Sequence, residues 1–209
     1  MKWFNRQFLV QVGFNLTLLF FYCSNLCNLK DIDGSLILTV DERDEALSLT
    51  SSSDGLLLYR ASDNAFSSSI YYSKLSGKTN VLTIFRSKNY VFGAFMGTAN
   101  AYSGGGWTAD SSAFLFSLRR NGTSNTVKFP VTAASYALWS SSIYFGYYGR
   151  GVDLHVISQP FAYTGSYSYL GYDYSPPSGC TYNTPCSNNF LAGSLNGWYV
   201  DEIEAYQFS

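Results

Sequence analysis

From residue 81 onward the chain runs in short apolar or alternating stretches separated by turn residues, which is the period-2 pattern of antiparallel sheet. VLTIF from Val81, YVFGAF from Tyr90, AFLFSL from Ala113, TVKF from Thr126, ALW from Ala137, VDLHVI from Val152 and WYVDEIEAYQF from Trp198 predict seven strands. Gly77, Lys88 to Asn89, Gly104 to Gly106, Arg119 to Asn125 and the Gly-, Tyr- and Pro-rich stretch from Phe161 to Asn189 predict the loops. Before residue 81 the pattern is helical. Thr39 followed by Glu42 fits a capping box opening a helix over Asp41 to Leu49, and Phe66, Ile70 and Lys74 fall at helical spacing. LLLYRAS from Leu56 reads as a buried segment between these helices. Many short strands with little helical period predict a mostly β, α+β fold: a two-sheet antiparallel sandwich with helices at its margin, chosen over a barrel.

The N-terminus follows a different pattern. Lys2 and Arg6 precede FLVQVGFNLTLLFFYC, an uncharged and largely apolar run over residues 8–23, as in a secretory signal. Gln11 and Asn15 interrupt the run, and no clean pair of small residues marks a cleavage point near Ser24. The segment is therefore either a processed signal or an uncleaved hydrophobic helix, and it falls short of the about 20 apolar residues of a membrane span. The chain divides into this segment at 1–30 and a single domain at 35–208. Membrane contact is expected only through residues 1–30, if they are retained.

Composition narrows the chemistry. A chain of 209 residues with 46% hydrophobic and 13% charged residues folds around one core rather than staying disordered. Thirteen Lys plus Arg against fourteen Asp plus Glu leave no basic footprint, so nucleic acid is excluded as a partner. A single histidine, His155, removes most metal sites and most nucleophile-base pairs. No cofactor and no metal are expected, and the spacings of Cys23, Cys27, Cys180 and Cys186 do not suit zinc. The five residues between Cys180 and Cys186 would let a disulfide pin a surface loop in an oxidising compartment, whereas in cytosol both stay thiols. Sequons at Asn15 and Asn121 are glycan acceptors only in a secreted chain.

Catalysis here would fall to carboxylates. Glu202 and Glu204 lie two apart in VDEIEAY, so on a strand they project from one face about 6 to 7 Å apart. As an acid-base pair they would suit glycoside hydrolysis; the preferred reading is a solvated polar face on a terminal strand, made acidic by the adjacent Asp201. In VDLHVI, alternation places Asp153 and His155 on one face, within reach of an ion pair, and they read as structural rather than catalytic. Ser194 lacks the elbow pattern of a hydrolase nucleophile, and Gly149 with Gly151 gives only half of a dinucleotide fingerprint. Gly104 to Gly106, with Trp107 and Asp110, suggest a loop of unusual dihedrals. The tyrosines between 163 and 182 suit contact surfaces and are expected mostly to cover the sandwich end.

Read in order, LLLYRAS at Leu56, YVFGAF at Tyr90, WTADSSAFLFSL at Trp107, IYFGYYGRGVDLHVI at Ile143 and FLAGSLNGWYVDEIEAYQ at Phe190 resemble the TLDc domain over residues 35–208. The Asp before AFLFSL, FLAGS and the closing EIE carry most of that resemblance. It implies a compact sandwich of two antiparallel sheets with short helices. It also implies a non-catalytic protein interaction module linked to oxidation resistance, with a vacuolar proton-ATPase subunit as partner in a cytosolic setting. Gly146 to Asp153 departs from the compact glycine run of the family. Asp153, Asp201, Glu202 and Glu204, with neighbouring loops, are the expected contact region. The rival reading is a secreted carbohydrate-binding or carbohydrate-active domain using the Glu202 and Glu204 pair.

Overall fold

A computed structural model describes residues 31–195 and 197–209; the signal-like segment, Asn15, Cys23 and Cys27 lie outside the described residues. Thr39 caps helix α1, Val40–Thr50, and the expected capping box is complete: the Thr39 amide donates to Glu42 Oε2 at 2.9 Å and the Glu42 amide to Thr39 Oγ1 at 3.4 Å. Glu42 also fastens the helix to the sheet, accepting from Arg119 Nε at 2.6 Å. Burial pushes its carboxyl up, but Arg119 and Thr39 together pull it below the usual glutamate range.

Strand β1, Gly55–Arg60, follows, so LLLYRAS is a strand, one of three beyond the seven expected; the other two are Gly106–Thr108 and Tyr144–Tyr148. After α2, Ser68–Leu75, come β2, Val81–Ser87, and β3, Tyr90–Met96. Then come β4, Gly106–Thr108; β5, Phe114–Arg120; β6, Thr123–Pro130; and β7, Leu138–Ser140. Last are β8, Tyr144–Tyr148; β9, Leu154–Ile157; and β10, Glu202–Phe208, with a single helical turn at Pro185–Asn188 before β10. Six strands form one antiparallel sheet in the order β1-β10-β2-β3-β5-β6. The ribbons β4-β7 and β8-β9 form the second layer, widened by bridges from His155 to Tyr167 and from Ser166 to Trp198.

The large sheet is covered on both faces. Val81 and Phe85 of β2, Leu115 of β5 and Ile203 and Ala205 of β10 pack with Phe145, Tyr148, Leu154 and Val156 of the ribbons and with Tyr71 and Leu75 of α2. The alternate residues, Leu82, Ile84, Phe116, Leu118 and Tyr206, pack under Ile37, Leu38, Ala46 and Leu47. The sandwich is thus as expected, but α1 is not marginal: it is a third layer over the outer face of the sheet. That explains why VLTIF and AFLFSL are nearly continuous apolar runs, since a strand buried on both sides has no polar face to alternate with.

Gly93 sits where β2, β3 and β5 meet. A methyl there would lie 2.0 Å from the Thr83 carbonyl oxygen and 2.7 Å from the Phe116 ring, so the close approach of strands and ring requires glycine.

Candidate functional site: an aromatic outer face

The acidic residues expected to form a contact surface do not. Glu204 is fully buried and Glu202 is 4% exposed. β10 is the last strand in sequence but lies inside the sheet, between β1 and β2, and the segment before α1 covers the face from which Glu204 projects. Glu204 accepts from Ser35 Oγ at 2.5 Å, the Leu36 amide at 2.9 Å, Arg60 Nε at 2.8 Å and Tyr206 Oη at 3.0 Å. Glu202 accepts from the amides of Ser62 at 3.1 Å and Ile203 at 3.0 Å. Neither carboxylate faces a sugar cleft, so the acid-base pair fails for the same reason as the solvated face. Asp201 alone of the trio is exposed, accepting from the Lys88 amide.

Asp153 is also fully buried, and it makes no pair with His155. Its carboxylate gathers four successive amides, from Gly171 at 2.7 Å, Tyr172 at 2.8 Å, Asp173 at 3.0 Å and Tyr174 at 3.4 Å. Burial raises its pKa against the pull of these donors. Gly149, at φ 71°, leaves room for it, because a Cβ there would lie 2.1 Å from Asp153 Oδ2. The altered glycine segment before Val152 is therefore a cradle for this carboxylate. Asp110 acts likewise, accepting from the amides of Gly97 at 2.6 Å, Thr98 at 3.1 Å and Ser112 at 2.8 Å. Ser194 Oγ donates to the Gly197 carbonyl at 3.2 Å and braces a turn. Cys180 and Cys186 are bridged, with Cα atoms 5.6 Å apart. Asn121 is exposed. Among the described residues no group of three or more His, Cys, Asp or Glu side chains gathers as a metal-ligand set, and no helix is long and apolar enough to cross a membrane.

The outer surface of the second layer is built differently. Along β7 and β9, Leu138, Leu154 and Val156 face the core while Trp139 and His155 face away from it. A register shift between Tyr144 and Gly146 turns both Tyr144 and Tyr147 outward, although residues three apart on a regular strand would lie on opposite faces. Trp107 of β4 is the cross-strand partner of Trp139, with ring centroids 5.4 Å apart. From Trp107 the ring contacts run unbroken through Tyr147 at 5.9 Å, Tyr144 at 6.2 Å, His155 at 4.7 Å, Tyr167 at 5.0 Å and Tyr169 at 5.4 Å. Arg150 closes one end, 3.7 Å over Tyr136 and held by Asp173 through a 3.0 Å contact to Oδ1.

His155 lies at the centre of this face. It is 6% exposed, and neither ring nitrogen completes a hydrogen bond. Burial depresses its pKa to about 4, an effect that the nearby Gly165 carbonyl only moderates, so the imidazole is neutral at neutral pH. The rings around it are half-buried, and Trp139 is 38% exposed. Of the tyrosines expected to form contacts, Tyr163, Tyr167, Tyr169, Tyr172, Tyr174 and Tyr182, only Tyr167 and Tyr169 join this series; Tyr144 and Tyr147 share its face only through the bulge, and Trp139 joins it through its pairing with Trp107.

The fold and the placement of these motifs agree with comparison to known families. The family model for the TLDc domain matches residues 37–209. No curated protein matches the chain significantly. From its ordered motifs, its antiparallel two-layer core and this match across most of its length, the chain belongs to the TLDc domain family.

Proposed function

We propose that this TLDc domain is a non-catalytic protein interaction module that meets its partner through the aromatic outer face of β4, β7, β8 and β9. The observation that carries the reading is the unbroken series of half-buried rings from Trp107 to Tyr169, ended by Arg150. Trp, Tyr and Arg in a charge-poor patch have the composition of a binding hot spot. The buried carboxylates support the same reading, because Glu204, Glu202, Asp153 and Asp110 are occupied with backbone and side-chain donors. Ring tilt favours a protein over a sugar polymer. Trp107 stands at 78° to Trp139 and 68° to Tyr147, so successive rings do not offer the coplanar faces on which sugar units stack.

The family's links to oxidative-stress resistance and to the vacuolar proton-ATPase make the purified pump the first partner to test. Binding of the full chain should weaken at least about tenfold with Trp139→Ala or Tyr147→Ala, a hot-spot effect. It should be unchanged with Val40→Ser on α1. Equal affinity of the Trp139, Tyr147 and parent proteins for any partner would refute the assigned face.

A further inference from the structure

The hairpin between β5 and β6 turns on Asn121 and Gly122, whose φ values of 49° and 82° are both left-handed. An Asn-Gly pair is the favoured solution for such a two-residue turn. The turn makes no demand on Thr123, which completes the acceptor triplet Asn121-Gly122-Thr123. Asn121 and Thr123 are both exposed, and β6 is an outer strand of the six-stranded sheet. A bulky group on Asn121 therefore projects from the hairpin tip toward solvent rather than into packed side chains.

A second observation, independent of the first, concerns the compartment. The Cys180 to Cys186 bridge lies in a surface loop with Cys186 exposed. An accessible bridge of this kind is open to glutathione-type reductants and persists where the surroundings are oxidising. Attachment of N-linked glycans belongs to secreted chains. The two features point to one location.

We propose that Asn121 carries an N-linked oligosaccharide and that the folded domain works on the lumenal or extracellular side of a membrane. In the transfer, Asn121 Nδ2 attacks the anomeric carbon of a lipid-pyrophosphate-linked oligosaccharide. The C–N bond forms, the C–O bond to pyrophosphate breaks, and an amide proton passes to a base of the transferase. The bridge forms by exchange with a dithiol oxidase: the two thiols give up two electrons and two protons, and the oxidase disulfide is reduced to two thiols. The glycan then stands at the tip of the β5-β6 hairpin, at the end of the outer strand of the sheet. This inference goes beyond the interaction reading and limits it, since regulation of the proton pump from its cytosolic face is incompatible with a glycosylated, bridged domain.

The test is expression of the full chain in a eukaryotic secretory cell line, with peptide mapping at residue 121. A glycosidase-sensitive glycan should be found on Asn121, lost in Asn121→Gln and Thr123→Ala and retained in Thr123→Ser. Thr123→Ala keeps both turn residues, so its thermal unfolding should match that of the parent and separates loss of the acceptor from loss of the fold. Cys180 and Cys186 should alkylate only after reduction. An unmodified Asn121 in the cell-made protein, or alkylation of either cysteine without reductant, overturns the proposal. Neither result touches the aromatic face, because dependence of binding on Trp139 is measured separately on enzymatically deglycosylated protein.

Discussion

Arg60 and Glu204 face each other across the β1-β10 pairing, with Arg60 Nε 2.8 Å from Glu204 Oε1. The contact ties an edge strand to an interior one. The same carboxylate also holds Ser35 and Leu36, so it joins the segment before α1 to the sheet. Removing it would leave the Leu36 amide without its acceptor and a guanidinium that is 15% exposed with the Gly34 carbonyl and Asp63 in place of its buried partner. Glu204→Ala is therefore expected to cost about 3 to 5 kcal/mol, the usual effect of breaking a buried pair from one side. Glu204→Gln, which retains an acceptor, should cost less. Urea unfolding measures both, and equal stability of Glu204→Ala and the parent would show that the network is not a clamp.

His155 sets a pH dependence. Its folded-state pKa, about 4, lies below the unfolded value of 6.5, so the unfolded chain takes up a proton first as pH falls. Its contribution is fully present above pH 6.5 and declines toward pH 4, by roughly 3 kcal/mol in all. Between pH 6.5 and 5, above the ordinary range of carboxylates, the slope is expected to vanish in His155→Phe. Unfolding curves at pH 7 and pH 5 for the two proteins provide the measurement; parallel losses would exclude the imidazole as the source.

Gly93 is expected to resist even a methyl group. Gly93→Ala must separate β3 from the Thr83 carbonyl and the Phe116 ring, an overpacking strain of about 1 to 3 kcal/mol or more. Gly104→Ala is a useful contrast: that position has a left-handed φ but no atom within 4 Å of a new Cβ. Its cost should reflect backbone strain alone, on the order of 1 to 2 kcal/mol. Melting temperatures of the two variants should fall in that order.

The loop bridge should add modestly to stability. Cys180 and Cys186 are six positions apart in sequence, and closing so short a ring restricts the unfolded chain by about 2 kcal/mol in the chain-entropy account. The Cys180→Ser, Cys186→Ser double variant should lose that much by denaturant titration. A loss several times larger would mean that the loop supports the core directly.

How much of this was legible in the sequence depended on the range of the interaction. The α1 cap was legible because Thr39 and Glu42 are three residues apart and bond to each other. Most strands were legible because apolar runs bounded by turn residues are local signals. The fate of Glu202 and Glu204 was not, because a carboxylate two residues from another looks solvated until the fold brings Ser35, Leu36, Arg60 and Ser62, some 140 or more positions upstream, against them. Tyr144 and Tyr147 were hidden by a one-residue bulge. Asp153 looked like a partner for His155 by alternation, yet its acceptor capacity goes to amides at 171–174, some twenty positions downstream.

The position of β10 also has a consequence for biogenesis. Until residues 202–208 leave the ribosome, β1 and β2 have no strand between them, and each presents a bare hydrogen-bonding edge to its neighbours. The domain cannot mature progressively from its N-terminus. A chain truncated before Glu202 should remain trapped with holdase chaperones or pair β1 out of register, rather than yield a smaller working unit.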